Sequence, residues 1–97
     1  MKQIVVYDVP NDGLRTQISH VLEDFGYQRL QYSVFIGQRT QNILEEIALI
    51  LKDLIGSEPA DVRCYQICEK CLEKKMIISR ICKEPDIGGV FAFPLEL

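Results

Sequence analysis

The sequence lacks a long hydrophobic segment, an internal repeat, a low-complexity stretch and a marked excess of basic charge. Its longest uninterrupted apolar run, residues 47–51, is far shorter than the roughly 20 residues that a membrane-spanning helix needs. The apolar start at residues 4–6 is cut off by Asp8, so we expect no signal peptide, no membrane partner and a cytoplasmic location. With 11 basic against 14 acidic residues, the chain is not a strongly basic nucleic-acid-binding tail, although this charge still permits a local basic patch.

Histidine-based and disulfide-based chemistry also have little support in the sequence. His20 is the only histidine, and no serine or cysteine lies at a spacing that suggests a nucleophilic triad. Four cysteines in a cytoplasmic chain of this size do not read as a disulfide framework. Cys68 and Cys71 form a C-x-x-C pair, with Cys64 and Cys82 as further thiols. Zinc binding and redox chemistry stay open, but we expect mainly buried or partly buried structural thiols.

What the sequence does contain is the pattern of one small α+β domain. Of its 97 residues, 47% are hydrophobic, which is typical of a globular chain with a modest core. Pairing with a second copy is a natural way for such a chain to bury more surface. Apolar periodicity predicts strands at residues 3–9, 27–36, 61–67, 76–81 and 90–93. It also predicts two helices, one that ends near Phe25 and one that spans residues 41–54. This order predicts an antiparallel sheet with both helices on one face.

Residues 27–36 alternate between an apolar face and a mostly polar face. The pattern leaves open whether this segment is one strand or bends into two. Leu30 and Val34 belong to the apolar face, whereas Arg29 and Phe35 belong to the polar one. An aromatic ring is unusual on a polar face, and we favour a place in a dimer interface over stacking on a base.

Three segments carry a resemblance to a known family. The first is VVYDV at residues 5–9 followed by NDGLR at residues 11–15; the second is RLQYSVFIG at residues 29–37; the third is VRCYQICEKC at residues 62–71. Together, in this order and spacing, they resemble the small CRISPR-associated endonuclease family, the non-integrase subunit of the spacer-acquisition complex. The match covers nearly the whole chain, and its second segment is the most specific.

The resemblance implies a ferredoxin-like βαββαβ sandwich with an antiparallel sheet and an additional C-terminal strand. It favours the interpretation in which residues 27–36 form two strands. It also implies a homodimer. We therefore expect residues 1–97 to form a single domain whose C-terminal arm, residues 84–97, pairs with the partner's sheet. The glycines in the loop before the last strand suit such an arm.

The same resemblance implies a function in CRISPR spacer acquisition. One hypothesis is an endonuclease that depends on Mg²⁺ or Mn²⁺, cuts RNA or DNA phosphodiesters and, with the integrase subunit, takes part in integrating spacer DNA. The alternative is a dimeric scaffold without catalytic activity that bridges integrase dimers and holds duplex spacer DNA. A small-molecule regulatory dimer of the same fold is disfavoured because the sequence contains no recognisable ligand loop.

Asp8 is the predicted catalytic and metal-binding residue. From position alone, a carboxylate at the end of a strand either caps the following turn or binds a divalent cation. The resemblance favours the metal, because the family's metal-linked aspartate falls at this position. One carboxylate makes a poor site, so we expect a two-fold axis to supply the second Asp8 from the other copy.

Four further residues match family positions linked to nuclease activity, and we predict that they contact nucleic acid: Tyr7, Arg15, Arg29 and Phe35. Guanidinium groups suit phosphate oxygens, and Arg15 lies near the start of a helix, where backbone N–H groups also favour anions. The chain departs from the family at Gln17, where some members carry another arginine. This difference argues against strong cleavage of RNA.

Overall fold

The computed structural model describes residues 1–78 and the backbone of residues 92 and 93. The elements, in chain order, are β1 (Lys2–Asp8), α1 (Asp12–Asp24), β2 (Gln28–Gln31), β3 (Val34–Gly37), α2 (Gln41–Ile55), β4 (Asp61–Ile67), α3 (Glu69–Glu73), β5 (Ile77–Ile78) and β6 (Ala92–Phe93). The first four strands form one antiparallel sheet in the order β2-β3-β1-β4. Element order and strand order are those of a ferredoxin-like βαββαβ sandwich, as predicted.

The core lies between the sheet and the two long helices. Because side chains alternate along a strand, Val5 and Tyr7 of β1 point toward the helices, as does Val9 directly after the strand, and all three are buried. The remaining members of the core cluster are Leu14, Ile18, Leu22, Tyr27, Phe35, Ile47 and Leu51. Both helices therefore cover one face of the sheet, which we call the helix face. We call the opposite face the open face.

The segment predicted to alternate over residues 27–36 is a hairpin of two strands. Residues 32 and 33 form its turn, and the β2–β3 ladder shifts register between Arg29 and Gln31. The Tyr7 backbone N–H donates to the Ser33 carbonyl at 3.1 Å, which fixes the turn against the central strand. The interpretation favoured by the resemblance is thus confirmed.

Phe35 corrects the faces assigned to this segment. Its ring is fully buried, and its backbone lies opposite Val5 of β1 on the helix face. The prediction that Phe35 lies on a mostly polar face was wrong. The simple alternation assigned this side of β3 to solvent, but the helices cover it. Phe35 is a core residue of one chain, so neither the predicted dimer contact nor stacking on a base is available to its ring.

Both long helices begin at side-chain caps. The Asn11 carboxamide oxygen accepts from the Leu14 N–H at 2.9 Å, and the Thr40 hydroxyl accepts from the Ile43 N–H at 3.3 Å. After α1 the chain turns at Gly26, whose φ of +88° lies in the left-handed region that favours glycine. Among the described residues, no helix has the length and apolar character needed to cross a bilayer.

The open face is only partly covered, by α3 and β5. A cavity of about 430 Å³ lies between them and the sheet. Its walls include Ile4, Ile36 and Ile67 from the sheet and Leu72 from α3. Four apolar or aromatic side chains on or near this face are exposed: Val6, Tyr65, Met76 and Ile78.

The C-terminal predictions are tested only in part. The strand predicted at residues 76–81 is described over Ile77–Ile78, and the strand predicted at residues 90–93 is described over Ala92–Phe93. These two short segments run parallel to each other. The rest of the arm at residues 84–97 lies outside the described residues, so its pairing with a partner chain stays a prediction.

A buried polar network joins the start of the sheet to both helix connections. The Tyr27 hydroxyl donates to the Gln3 side-chain oxygen, and the Gln3 amide donates to the Arg39 carbonyl at 2.9 Å. The Tyr27 ring lies against Gly37, and a Cβ at that position would sit 2.5 Å from the ring. Position 37 therefore has no room for a side chain unless Tyr27 moves.

We expect Gly37→Ala to lower the free energy of unfolding by about 1–3 kcal/mol, because the added methyl group displaces the buried ring. Urea unfolding followed by circular dichroism measures the loss. Gly13→Ala is the matched control: its Cβ meets only an Asn11 oxygen at 3.4 Å, and alanine favours the helix. Equal stability of the two variants would contradict this account of position 37.

Candidate nucleic-acid interface

The end of β1 places two predicted site residues on opposite faces of the sheet. Tyr7 points to the helix face and is 3% exposed, whereas Asp8 is exposed and follows Val6 on the open face. The predicted residues therefore form two separate groups. Tyr7 belongs with the arginines, and Asp8 belongs with residues of β4.

Arg15 is held by the first turn of α1. One guanidinium nitrogen, Nη1, donates to the Val9 carbonyl at 3.0 Å, and the other, Nη2, bonds to the Asp12 carboxylate. Its Nε is buried and has no hydrogen-bond partner among the described residues. The guanidinium is thus fixed at the carboxyl end of β1.

Arg29 is held by the β2–β3 hairpin. Its Nη1 donates to the Tyr32 carbonyl at 2.6 Å, and its Nη2 lies 3.9 Å from the Glu23 carboxylate. The guanidinium carbon is 4.9 Å from the centre of the Phe35 ring. Phe35, which cannot reach a ligand itself, therefore supports the position of this cation from within the core.

Tyr32 completes the group, although its sequence position alone did not single it out. The guanidinium carbon of Arg15 lies 5.1 Å from the centre of its ring, and that of Arg29 lies 6.0 Å away. Tyr32 is 69% exposed, and its ring therefore presents surface to solvent while it contacts both cations. A signal was available in the sequence: Tyr32 sits at the hairpin turn, three residues after Arg29.

The Tyr7 hydroxyl is the buried part of this group. It has no hydrogen-bond partner within the described part of the chain. Burial raises its pKa above the ordinary tyrosine value, and nearby Arg29 opposes that effect. The hydroxyl is therefore protonated at neutral pH and available as a donor. A buried donor without a partner costs stability, which is typical of a group that serves a ligand.

We call Tyr7, Arg15, Arg29 and Tyr32 the arginine–tyrosine cluster. It offers two guanidinium groups, an unused hydroxyl donor and an exposed aromatic ring within one small region. The acidic partners of the arginines, Asp12 and Glu23, are both more than half exposed. An entering phosphate can therefore exchange with these carboxylates at modest cost.

Asp8 lies on the other side of the sheet, directly opposite Asp61 in the β1–β4 ladder. Arg63 bonds both carboxylate oxygens of Asp61, at 3.0 and 3.4 Å. Asp61 was not among the predicted site residues, because its pairing with Asp8 depends on the register of distant strands. Among the described residues, no group of three or more acidic, histidine or cysteine side chains is placed to hold a metal ion.

The cysteines differ from their prediction. Cys64, Cys68 and Cys71 are free thiols and are exposed rather than buried. Cys82 lies outside the described residues. The expectation that these thiols are buried or partly buried is wrong for these three positions, because β4 is an edge strand and α3 is a single short turn at the surface.

The fold defined by strand order and element order is the ferredoxin-like α+β sandwich. Among solved structures, a hypothetical protein from Thermus thermophilus matches with a TM-score of 0.63 and 26% identity, over 69% of this chain and 80% of that one. The crystal structure of Streptococcus pyogenes Cas2 at pH 6.5 matches with a TM-score of 0.59 and 29% identity, over 71% of this chain and 88% of that one.

The sequence comparisons identify the family. The profile described as CRISPR associated protein Cas2 matches residues 1–75. A protein of Chloroflexus aurantiacus named CRISPR-associated endoribonuclease Cas2 2 is 46% identical over 82% of this chain and 94% of its own. One of Archaeoglobus fulgidus, named CRISPR-associated endoribonuclease Cas2 1, is 33% identical over 81% of this chain and 84% of its own. The chain belongs to the Cas2 family, and the resemblance found in the sequence is confirmed.

We expect Tyr7→Phe to leave the free energy of unfolding unchanged or raise it by up to about 1 kcal/mol, because it removes a buried hydroxyl without a partner. Tyr27→Phe is the matched control. We expect it to lower the free energy of unfolding by about 1–3 kcal/mol, because it leaves the buried Gln3 side-chain oxygen without the donor from Tyr27. Urea unfolding of the ligand-free protein measures both. A similar loss in the two variants would show that the Tyr7 hydroxyl has a structural partner.

Proposed function

We propose that this Cas2-family protein is a metal-dependent endonuclease that acts on RNA or DNA phosphodiesters in CRISPR spacer acquisition. The observation that carries the proposal is the arginine–tyrosine cluster, which holds two cations and an unpartnered buried hydroxyl beside the end of β1. The names of the relatives, which call those proteins endoribonucleases, support it.

The cluster is suited to the backbone of a nucleic acid. Arg15 and Arg29 are held by carbonyl oxygens, so their positions do not depend on a ligand being present. A phosphate that contacts both guanidinium groups would replace Asp12 and Glu23 as their anionic partner. The Tyr7 hydroxyl then gains an acceptor, and the exposed Tyr32 ring offers a face to a base.

Asp8 is the residue that we assign to the divalent cation, Mg²⁺ or Mn²⁺. Its exposed carboxylate supplies the oxygen ligands that these ions prefer, and its neighbour Asp61 is the same kind of donor. A bound cation would activate water and neutralise charge that develops on the phosphodiester. Asp61 is engaged by Arg63, so Asp8 needs another carboxylate, and we propose that Asp8 of a second copy provides it.

A homodimer fits the open face of the sheet. This face carries Asp8 together with exposed Val6 and Tyr65, and α3 and β5 cover only part of it. Apolar surface of this kind favours burial against another chain. A two-fold axis near the end of β1 would bring the two Asp8 side chains toward each other while each arginine–tyrosine cluster stays accessible.

A second candidate function is a dimeric scaffold that holds duplex spacer DNA and bridges integrase subunits. It is favoured by the incomplete set of metal ligands that one chain offers in its described residues. The scaffold uses the same guanidinium groups for phosphate contacts but needs no cation at Asp8. The two functions are compatible in one protein and make different demands on Asp8.

We expect Asp8→Asn to reduce Mg²⁺-dependent cleavage of RNA or duplex DNA by more than about 100-fold, because even changes beside metal ligands cost about 10–100-fold. Binding of the same nucleic acid in the presence of a chelator should stay unchanged, since Asp8 lies on the face opposite the cluster. Asp53→Asn, on the exposed side of α2, is the control. Equal cleavage by Asp8→Asn and the native protein would leave the scaffold as the better account.

Charge and ring contacts in the cluster can be separated by their salt dependence. Arg29→Gln should weaken binding to any sequence and reduce the slope of log affinity against log salt by about one unit. Tyr32→Ala should weaken single-stranded binding by about 1–3 kcal/mol with an unchanged slope, because it removes stacking but no charge. Lys52→Gln, at an exposed position of α2 outside the cluster, controls for net charge. An unchanged slope in Arg29→Gln would exclude a phosphate contact.

A further inference from the structure

The turn between β4 and α3 carries two exposed thiols that the proposed nuclease does not use. Cys68 directly follows β4 and occupies the position before the first residue of α3, and Cys71 lies within that helix. The Cys68 carbonyl accepts from the Leu72 N–H at 3.0 Å, so both cysteines belong to the same helical turn. Neither is part of the arginine–tyrosine cluster or the Asp8 face of the β1–β4 ladder.

The spacing of the two cysteines fits an intramolecular disulfide. Residues three apart on a helical turn have Cα atoms about 5–6 Å apart, inside the range of roughly 4.4–6.8 Å found across disulfides. Cys64 cannot take part within one chain, because its position opposite Val5 places it on the helix face of the sheet.

The two thiols are not equivalent. Contacts with the Cys71 backbone and thiol lower the pKa of Cys68 below the ordinary cysteine value. Interaction with the Cys68 thiol, first through hydrogen bonding and then through its charge, raises the pKa of Cys71. Cys68 is therefore the more acidic thiol of the pair, and we assign it the attacking role, with Cys71 as the resolving thiol.

We propose that Cys68 and Cys71 form a reversible dithiol–disulfide pair that exchanges with small-molecule disulfides of the glutathione type. The Cys68 thiolate attacks one sulfur of the small disulfide, forms a mixed disulfide and releases one small thiolate. Cys71 then loses its proton and attacks the Cys68 sulfur, which closes the Cys68–Cys71 bond and releases the second small thiolate. Two electrons pass from the protein to the small disulfide, and the two thiol protons end on its products.

Closing this bond would fix the turn that covers one end of the open face. Cys71 and Leu72 both line the cavity between α3 and the sheet, and Leu72 is the buried anchor of that helix. A Cys68–Cys71 link holds the start of α3 to the end of β4. Oxidation should therefore slow amide hydrogen exchange in α3 and leave exchange in α1 unchanged.

The test uses the purified, fully reduced protein in buffers that contain reduced and oxidised glutathione at graded ratios. Remaining thiols are alkylated, and intact mass spectrometry with peptide mapping locates the bonds. We expect one disulfide, confined to single chains, that joins Cys68 to Cys71, increases with the oxidised fraction and reverses with dithiothreitol. Hydrogen exchange of the oxidised and reduced forms is measured on the same samples.

Three serine variants separate this pair from other thiol reactions. Cys68→Ser and Cys71→Ser should each lose the internal bond and instead carry glutathione on the remaining cysteine of the pair. Cys64→Ser should behave like the native protein. Cys68 should also react faster than Cys71 with iodoacetamide at neutral pH. The proposal is overturned if Cys68 and Cys71 stay alkylatable at every ratio, pair with Cys64 or Cys82, or link two chains.

Discussion

The central position of β1 is the constraint on which the other features of the structure depend. This strand pairs with β3 on one side and β4 on the other, so its register sets the positions of every other strand in the sheet. Its side chains alternate between the two faces. The Tyr7 side chain therefore lies in the core beside the arginines, while the side chain of its neighbour Asp8 lies on the open face. Adjacent residues in the sequence serve two separate surfaces.

The arginine–tyrosine cluster is preformed because the fold supplies partners for both of its cations. Arg15 bonds a carbonyl at the end of β1, and Arg29 bonds a carbonyl in the hairpin turn. The buried Phe35 ring stands behind Arg29. A phosphate that binds here does not have to order two long flexible side chains. It can also accept a hydrogen bond from the Tyr7 hydroxyl, which has no partner among the described residues. Both effects favour binding over the ligand-free state.

Much of the fold followed from the sequence because its signals are local. Apolar periodicity located α1 and α2, and β4 was predicted at its observed residues. The face of Phe35 was predicted wrongly, because the residue pattern of one segment does not show that the helices cover the side of β3 that carries Phe35. The contact of Tyr32 with Arg15 and the pairing of Asp8 with Asp61 depend on how distant segments are placed across the sheet, which no local pattern encodes.

The pairing of β1 with β4 also has a consequence for how the chain acquires its structure. These strands lie roughly 50–65 residues apart in the sequence, which makes their ladder the most non-local contact of the sheet and a slow one to form. The arginine–tyrosine cluster needs only β1, α1 and the hairpin, all within residues 2–37. During synthesis, the arginine–tyrosine cluster can therefore form before β4 has paired with the remaining edge of β1.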